Sequence, residues 1–132
     1  MRYSAIVLTR FLALAIMLLG IPLMLVAMPM SANAHGVLER TEPRAGVAVR
    51  AAPAQVRLWF TGALEPAYSR VQVLDAAGKR MDLGDAGVDG SNHALLRVSV
   101  PSLPPGTYRV VWRVLSVDSH VTEGQFSFRV AP

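Results

Sequence analysis

Gly106-Thr107-Tyr108-Arg109-Val110-Val111-Trp112-Arg113-Val114-Leu115-Ser116-Val117-Asp118-Ser119-His120 decides the fold class. Tyr108, Val110, Trp112 and Val114 take every second position, and Arg109, Val111, Arg113 and Leu115 fill the places between. A period of two is that of a strand, whose successive side chains point to opposite faces. The length and aromatic content predict a central strand. Asp118 and His120 stand two apart at its end. On extended backbone both would project from one face, at a spacing suited to chelating one ion.

The same period recurs on either side. Gly36 to Thr41 reads as a short first strand, ended by Glu42-Pro43-Arg44-Ala45-Gly46, and Ala51-Ala52-Pro53 makes a second break. Val56, Leu58 and Phe60 alternate with Arg57, Trp59 and Thr61 up to Gly62. Val71 and Val73 mark another strand, and Asp75-Ala76-Ala77-Gly78 predicts a hairpin turn into a short strand from Lys79 to Leu83. Gly84 to Asn92 is a polar, Gly-rich loop, followed by a strand over Ala94 to Val100 and a stiff turn over Pro101 to Gly106. Phe126, Phe128 and Val130 define a closing strand. About seven short strands and no helical period predict an all-β fold, a β-sandwich or Greek-key barrel. Trp59 and Trp112 are expected in its core, with Glu65 and Glu123 as solvated charges.

The first 34 residues stand apart. Arg2 and Arg10 form a basic start, Phe11 to Met28 is almost wholly apolar, and Ser31-Ala32-Asn33-Ala34 has the small-x-small pattern read by signal peptidase. The expectation is a signal peptide over 1–34, cut after Ala34, leaving His35 at the head of one domain over 35–132. A retained membrane anchor is the alternative, since the apolar run is at the short limit of a span.

Composition narrows the function. Two of the thirteen basic residues fall in the leader, so 11 Lys+Arg face 9 Asp+Glu in the rest, a net of +2 that does not indicate nucleic acid. Cysteine is absent, so neither disulfides nor thiolate ligands enter the argument, and five of six methionines lie in the leader. No Ser-His-Asp order, phosphate-binding glycine loop or pair of catalytic carboxylates marks an enzyme. His93 reads as a surface residue, having no carboxylate or second histidine close in sequence. Arg109, Arg113 and Arg129 fall on outward faces, where they could pair with an acidic partner or simply be scattered surface charge.

Cleavage before His35 would free an α-amine beside its imidazole, and the two could close a chelate ring on one ion. With the His120 imidazole and Asp118 carboxylate the set is three nitrogens and one oxygen. Tetragonal N,O coordination suits Cu(II), whereas zinc could take the same ligands in a tetrahedron. Cu(I) would want thiolate or thioether.

Three stretches carry a family resemblance: His35 to Gly46 (HGVLERTEPRAG), Pro53 to Phe60 (PAQVRLWF), and Gly106 to His120 followed by Gly124-Gln125-Phe126-Ser127-Phe128. Their Gly-Thr-Tyr, Trp-Arg, Asp-x-His and Gly-x-Phe-x-Phe elements resemble the CopC family of bacterial periplasmic copper-resistance proteins. The resemblance implies an immunoglobulin-like Greek-key barrel, a periplasmic monomer and one Cu(II) held by His35, Asp118 and His120. It also implies a CopD-like inner-membrane copper transporter as partner. Two features depart from the family pattern. Gly62 stands where some members carry a carboxylate ligand, and Met81 is the sole methionine after the leader where some members have a Met-rich Cu(I) loop. Two other functions fit the same residues: a copper-dependent oxidase or oxygenase using a histidine brace, and a metal-free immunoglobulin-like binding module.

Overall fold

Alternating burial along the strands builds two sheets with a shared apolar interior. The computed structural model describes residues 36–132, so the leader and His35 lie outside the described residues. The strands are β1 (Leu38–Glu42), β2 (Ala48–Val49), β3 (Gln55–Phe60), β4 (Arg70–Leu74), β5 (Gly87–Val88), β6 (Leu95–Ser99), β7 (Gly106–Leu115) and β8 (Val121–Val130), with one 3-10 turn at Pro66–Tyr68. One sheet has the order β1-β3-β6-β5 and the other β2-β8-β7-β4. All pairings are antiparallel except β2 with β8. This is an immunoglobulin-like Greek-key sandwich, the predicted class.

The β7–β8 hairpin is its spine. Pairing runs without a bulge from Gly106↔Val130 to Leu115↔Val121. Tyr108, Val110, Trp112 and Val114 face inward, where they meet Val56, Leu58 and Phe60 of β3 and Phe128 and Val130 of β8. Phe60 and Trp112 pack edge to face at 5.2 Å, and Tyr108 stacks with Phe128 at 5.7 Å. The Tyr108 hydroxyl donates back to the Pro104 carbonyl, the corner that immunoglobulin-like folds place at the start of this strand. That bond ties the Pro-rich turn to the strand it introduces.

The structure corrects two expectations. Trp59 is not in the core: the phase that buries Leu58 and Phe60 sends it outward, half-buried, with the Arg40 guanidinium 3.8 Å above its ring. Lys79 to Leu83 forms no strand beyond a single bridge, Leu74↔Arg80. Here the Asp82 carboxylate takes over from the ladder. It accepts from the amides of Val73 and Gly84 at 2.9 Å each and from the Arg80 side chain, while the Met81 amide donates to the Val73 carbonyl at 2.7 Å. Burial pushes the Asp82 carboxyl up, but the hydrogen bonds from Arg80, Val73 and Gly84 outweigh it and hold the group below the usual carboxylate range. The middle of the β4 edge is thereby closed. The two-residue strands β2 and β5 are too short to show a period and were not expected.

Gly124 lies opposite Trp112 in the ladder. A Cβ at this position would stand 2.7 Å from Trp112 Cζ2 and 3.1 Å from Cε2. The ring packs edge to face against Phe60, which limits how far it can give way. Gly124→Ala is expected to destabilise the fold by about 1–3 kcal/mol, because overpacking exceeds the smaller gain from a less flexible unfolded chain. Urea denaturation followed by tryptophan fluorescence checks this, and an unchanged midpoint would show that the indole can shift.

Candidate metal centre

Asp118 and His120 lie in the tight connection of the β7–β8 hairpin. The backbone at this pair is not extended: Val117 and Asp118 form a turn, and Ser119 adopts a left-handed φ of 70°. The turn is closed by the Ser116 amide donating to the His120 carbonyl at 2.9 Å and the Ser119 amide donating to Ser116 at 2.9 Å. It still brings the two side chains together. Asp118 Oδ2 is 3.2 Å from His120 Nδ1, and the His120 amide is 3.4 Å from Asp118 Oδ1.

That separation fits a shared ion. Two ligand atoms at about 2.0–2.1 Å from a metal lie about 2.9 Å apart at a right angle and about 3.3 Å apart at the tetrahedral angle. The observed 3.2 Å falls between these limits, so both donors could lie on one edge of a coordination polyhedron. The metal would replace the proton that otherwise joins them. The carboxylate is one-quarter exposed and the imidazole more than half exposed, open enough for an ion to reach.

Ser116 sets the state of the carboxylate. It continues the inward phase of Val114 and is fully buried, a hydroxyl in what is geometrically a core position. It donates to Asp118 Oδ1 and also lies 3.1 Å from the His120 carbonyl. This hydroxyl, followed by the His120 side chain and amide, lowers the Asp118 carboxyl to about 2 against the opposing effect of burial. Asp118 is thus a carboxylate throughout the neutral and mildly acidic range, ready to ligate without first losing a proton.

Two further segments close on the turn. After β3, the Ala63 carbonyl accepts from Val117 at 3.0 Å, the Glu65 amide donates to Leu115 at 2.8 Å, and Leu64 bridges Ser116. Gly62 lies in this segment and has no side-chain donor to offer. From the other side comes the start of the described chain. Gly36 is buried, and a Cβ there would stand 3.3 Å from Ser116 Cβ and 3.4 Å from Leu64 Cδ2. Its carbonyl accepts from the Thr122 hydroxyl at 2.7 Å, and Val37 exchanges hydrogen bonds with Thr61.

Of the predicted ligands, Asp118 and His120 therefore meet, whereas His35 lies outside the described residues. Among the described residues no group of three or more His, Asp or Glu side chains surrounds one point. His93 is exposed, as expected. Sequence reading missed Ser116 and Thr122. Ser116 could have been found by extending the alternation of β7 one step past Val114, whereas nothing local marks Thr122.

Residues 38–131 match the family model described as CopC domain. The crystal structure of CopC from Methylosinus trichosporium OB3b is similar with a TM-score of 0.66 at 38% identity, covering 74% of this chain and 95% of that one. PcoC from Escherichia coli, described as a methionine rich copper resistance protein, gives a TM-score of 0.64 at 29% identity, covering 74% of this chain and 99% of its own. Copper transport protein CutJ of Bacillus subtilis (strain 168) is 28% identical over 109 residues, which are 82% of this chain and 20% of CutJ. The chain thus spans about a fifth of the length of that relative. Unlike the methionine-rich protein, it has one methionine, Met81, among the described residues.

Ser116→Ala is expected to move the Asp118 titration up from about 2 toward the ordinary value of 3.8. The depressed folded value means that ionised Asp118 stabilises the turn fully above the ordinary carboxylate range and loses that contribution as pH falls through the folded value. Carboxyl carbon NMR across this window reads the midpoint directly. A midpoint unchanged by the substitution would remove Ser116 as the cause.

Proposed function

The chain belongs to the CopC family, and from that premise we propose that it is an exported protein that binds one Cu(II) through His35, Asp118 and His120 and stores, buffers or delivers it. Cleavage after Ala34 releases it into the periplasm and creates the amine that completes the ligand set. It acts as a monomeric carrier, not an enzyme, and exchanges copper with a CopD-like membrane transporter.

One observation carries this reading. Gly36, the residue after His35, packs on Ser116, and its carbonyl is held by Thr122, two residues beyond His120. The described chain thus begins against the turn that carries Asp118 and His120. The donor chemistry agrees: nitrogen and oxygen without sulfur favour Cu(II), and the nearly fully ionised Asp118 carboxylate favours a divalent cation. The donors are then the amine and imidazole of His35, the imidazole of His120 and the carboxylate of Asp118, with none from Gly62. The scarcity of methionine supports a single Cu(II) site without a Cu(I) companion.

His120→Ala is expected to abolish tight Cu(II) binding, read by competition with a chromophoric chelator. Protein beginning at His35 should bind one ion tightly, and protein with one extra residue before it should lose that binding. Equal, weak binding in both forms would sink the amine-histidine site. Affinity should also fall as pH drops from 7 toward 5, because amine and imidazole must shed protons to ligate whereas Asp118 is already ionised.

A further inference from the structure

Away from the hairpin turn, charge is distributed unevenly on the outer face of the β2-β8-β7-β4 sheet. Arg70 on β4, Arg109 and Arg113 on β7, and Arg129 on β8 all point outward from it and are exposed. Against these four arginines the strands set one carboxylate, Glu123. The face sums to +3, whereas His35 to Pro132 as a whole carries +2, so the remainder is slightly negative. The positive surplus is therefore gathered on one side.

The register makes this arrangement unfavourable for the fold itself. Arg70 stands directly opposite Arg113, and like charges in that relation repel. Glu123, on the far side of Arg113, approaches it only to 4.0 Å with both groups largely exposed. Arg70, Arg109 and Arg129 form no ion pair among the described residues. The opposite sheet also sets two arginines across from each other, Arg57 and Arg97, but there Asp89 binds Arg97 at 3.1 Å and Gln55 accepts from Arg57. Only one of the two arginine pairs is thus left without close compensation.

This pair stands in a trough. An open groove of about 670 Å³ is bordered by Arg70, Gln72, Val111, Arg113, Glu123 and Gln125. A second hollow of about 220 Å³ shares Arg70 and Arg113 and continues past Tyr68 to Leu115 and Val121, the residues that flank the turn bearing Asp118 and His120. Tyr68, at 65% exposed, and Val121, at 51%, give this end an apolar rim.

We infer that this trough docks an extended, carboxylate-rich segment of a partner protein. Guanidinium forks bind carboxylates with two parallel hydrogen bonds, and all four cations on the face are arginine, not lysine. The Gln72 and Gln125 amides can bond a peptide backbone, and Val111 and Tyr68 offer the apolar contact that fixes register. A flat anionic membrane would leave the trough unfilled. A segment lying along it ends beside the hairpin turn, so its owner is brought to the ion. That last consequence rests on the function proposed above; the docking does not.

The test uses a fluorescein-labelled peptide alternating Glu and Val, a control peptide with Gln for each Glu, and phosphatidylglycerol vesicles, titrated against the purified protein. Wild type should bind the acidic peptide alone, and more weakly as salt is raised. Arg70→Gln with Arg113→Gln should weaken binding by about tenfold or more, whereas Arg44→Gln with Arg57→Gln, an equal loss of charge outside the trough, should leave it nearly unchanged. Glu123→Gln should tighten it, a gain that misfolding cannot mimic. No binding by wild type, equal loss in both double variants, or binding of vesicles but not peptide would each overturn the inference. Asp118→Ala with His120→Ala should keep the peptide and lose copper, so a failure of docking and a failure of the copper site are read separately.

Discussion

The β7–β8 ladder fixes the phase of everything else. Side chains alternate along it, so slipping the register by one residue would turn Tyr108, Val110, Trp112 and Val114 out to solvent. Trp112 over Gly124 blocks that slip, because no other pairing gives the indole a partner without a Cβ. Once the register is fixed, so is the turn that ends it. Ser116 inherits the inward phase, and a buried hydroxyl must find an acceptor. It finds Asp118. The electrostatic state of the carboxylate thus descends from the same alternation that fills the core.

The turn is braced from both sides. The segment from Thr61 to Glu65 meets it through backbone hydrogen bonds, and Gly36 reaches it through close packing and the Thr122 hydroxyl. Neither brace uses a charged group, so the polar side chains of Asp118 and His120 remain turned toward each other and toward water. The apolar interior lies beneath and contains neither of them. The apolar core and the Asp118/His120 pair are thus built from different side chains, joined through Ser116.

Much of this could be read in the amino acids. The long alternating strands came through clearly because one face of each is buried, and the Asp-x-His pair stood out by its chemistry. What escaped was governed by contacts distant in sequence or by competition. Trp59 follows the alternation outward although its apolar bulk suggested the core. Lys79 to Leu83 has strand-like spacing, but Asp82 supplies the acceptors that a neighbouring strand would have supplied. The turn at Asp118 depends on Ser119 tolerating a left-handed conformation, which serine seldom does and sequence alone does not announce. Arg70 drew no notice by itself; only the pairing with Arg113 gives it meaning.

The clasp of Asp82 over β4 also governs how copies of this protein meet. A sandwich of this kind ends in strand edges, and bare edges nucleate ordered aggregates. With the Val73 amide bonded to a carboxylate and its carbonyl to Met81, that residue's backbone is already engaged on the open side of β4. Extension of the sheet by a second chain is thereby hindered at Val73. Contacts between copies at that point would fall to side chains, not to a shared ladder.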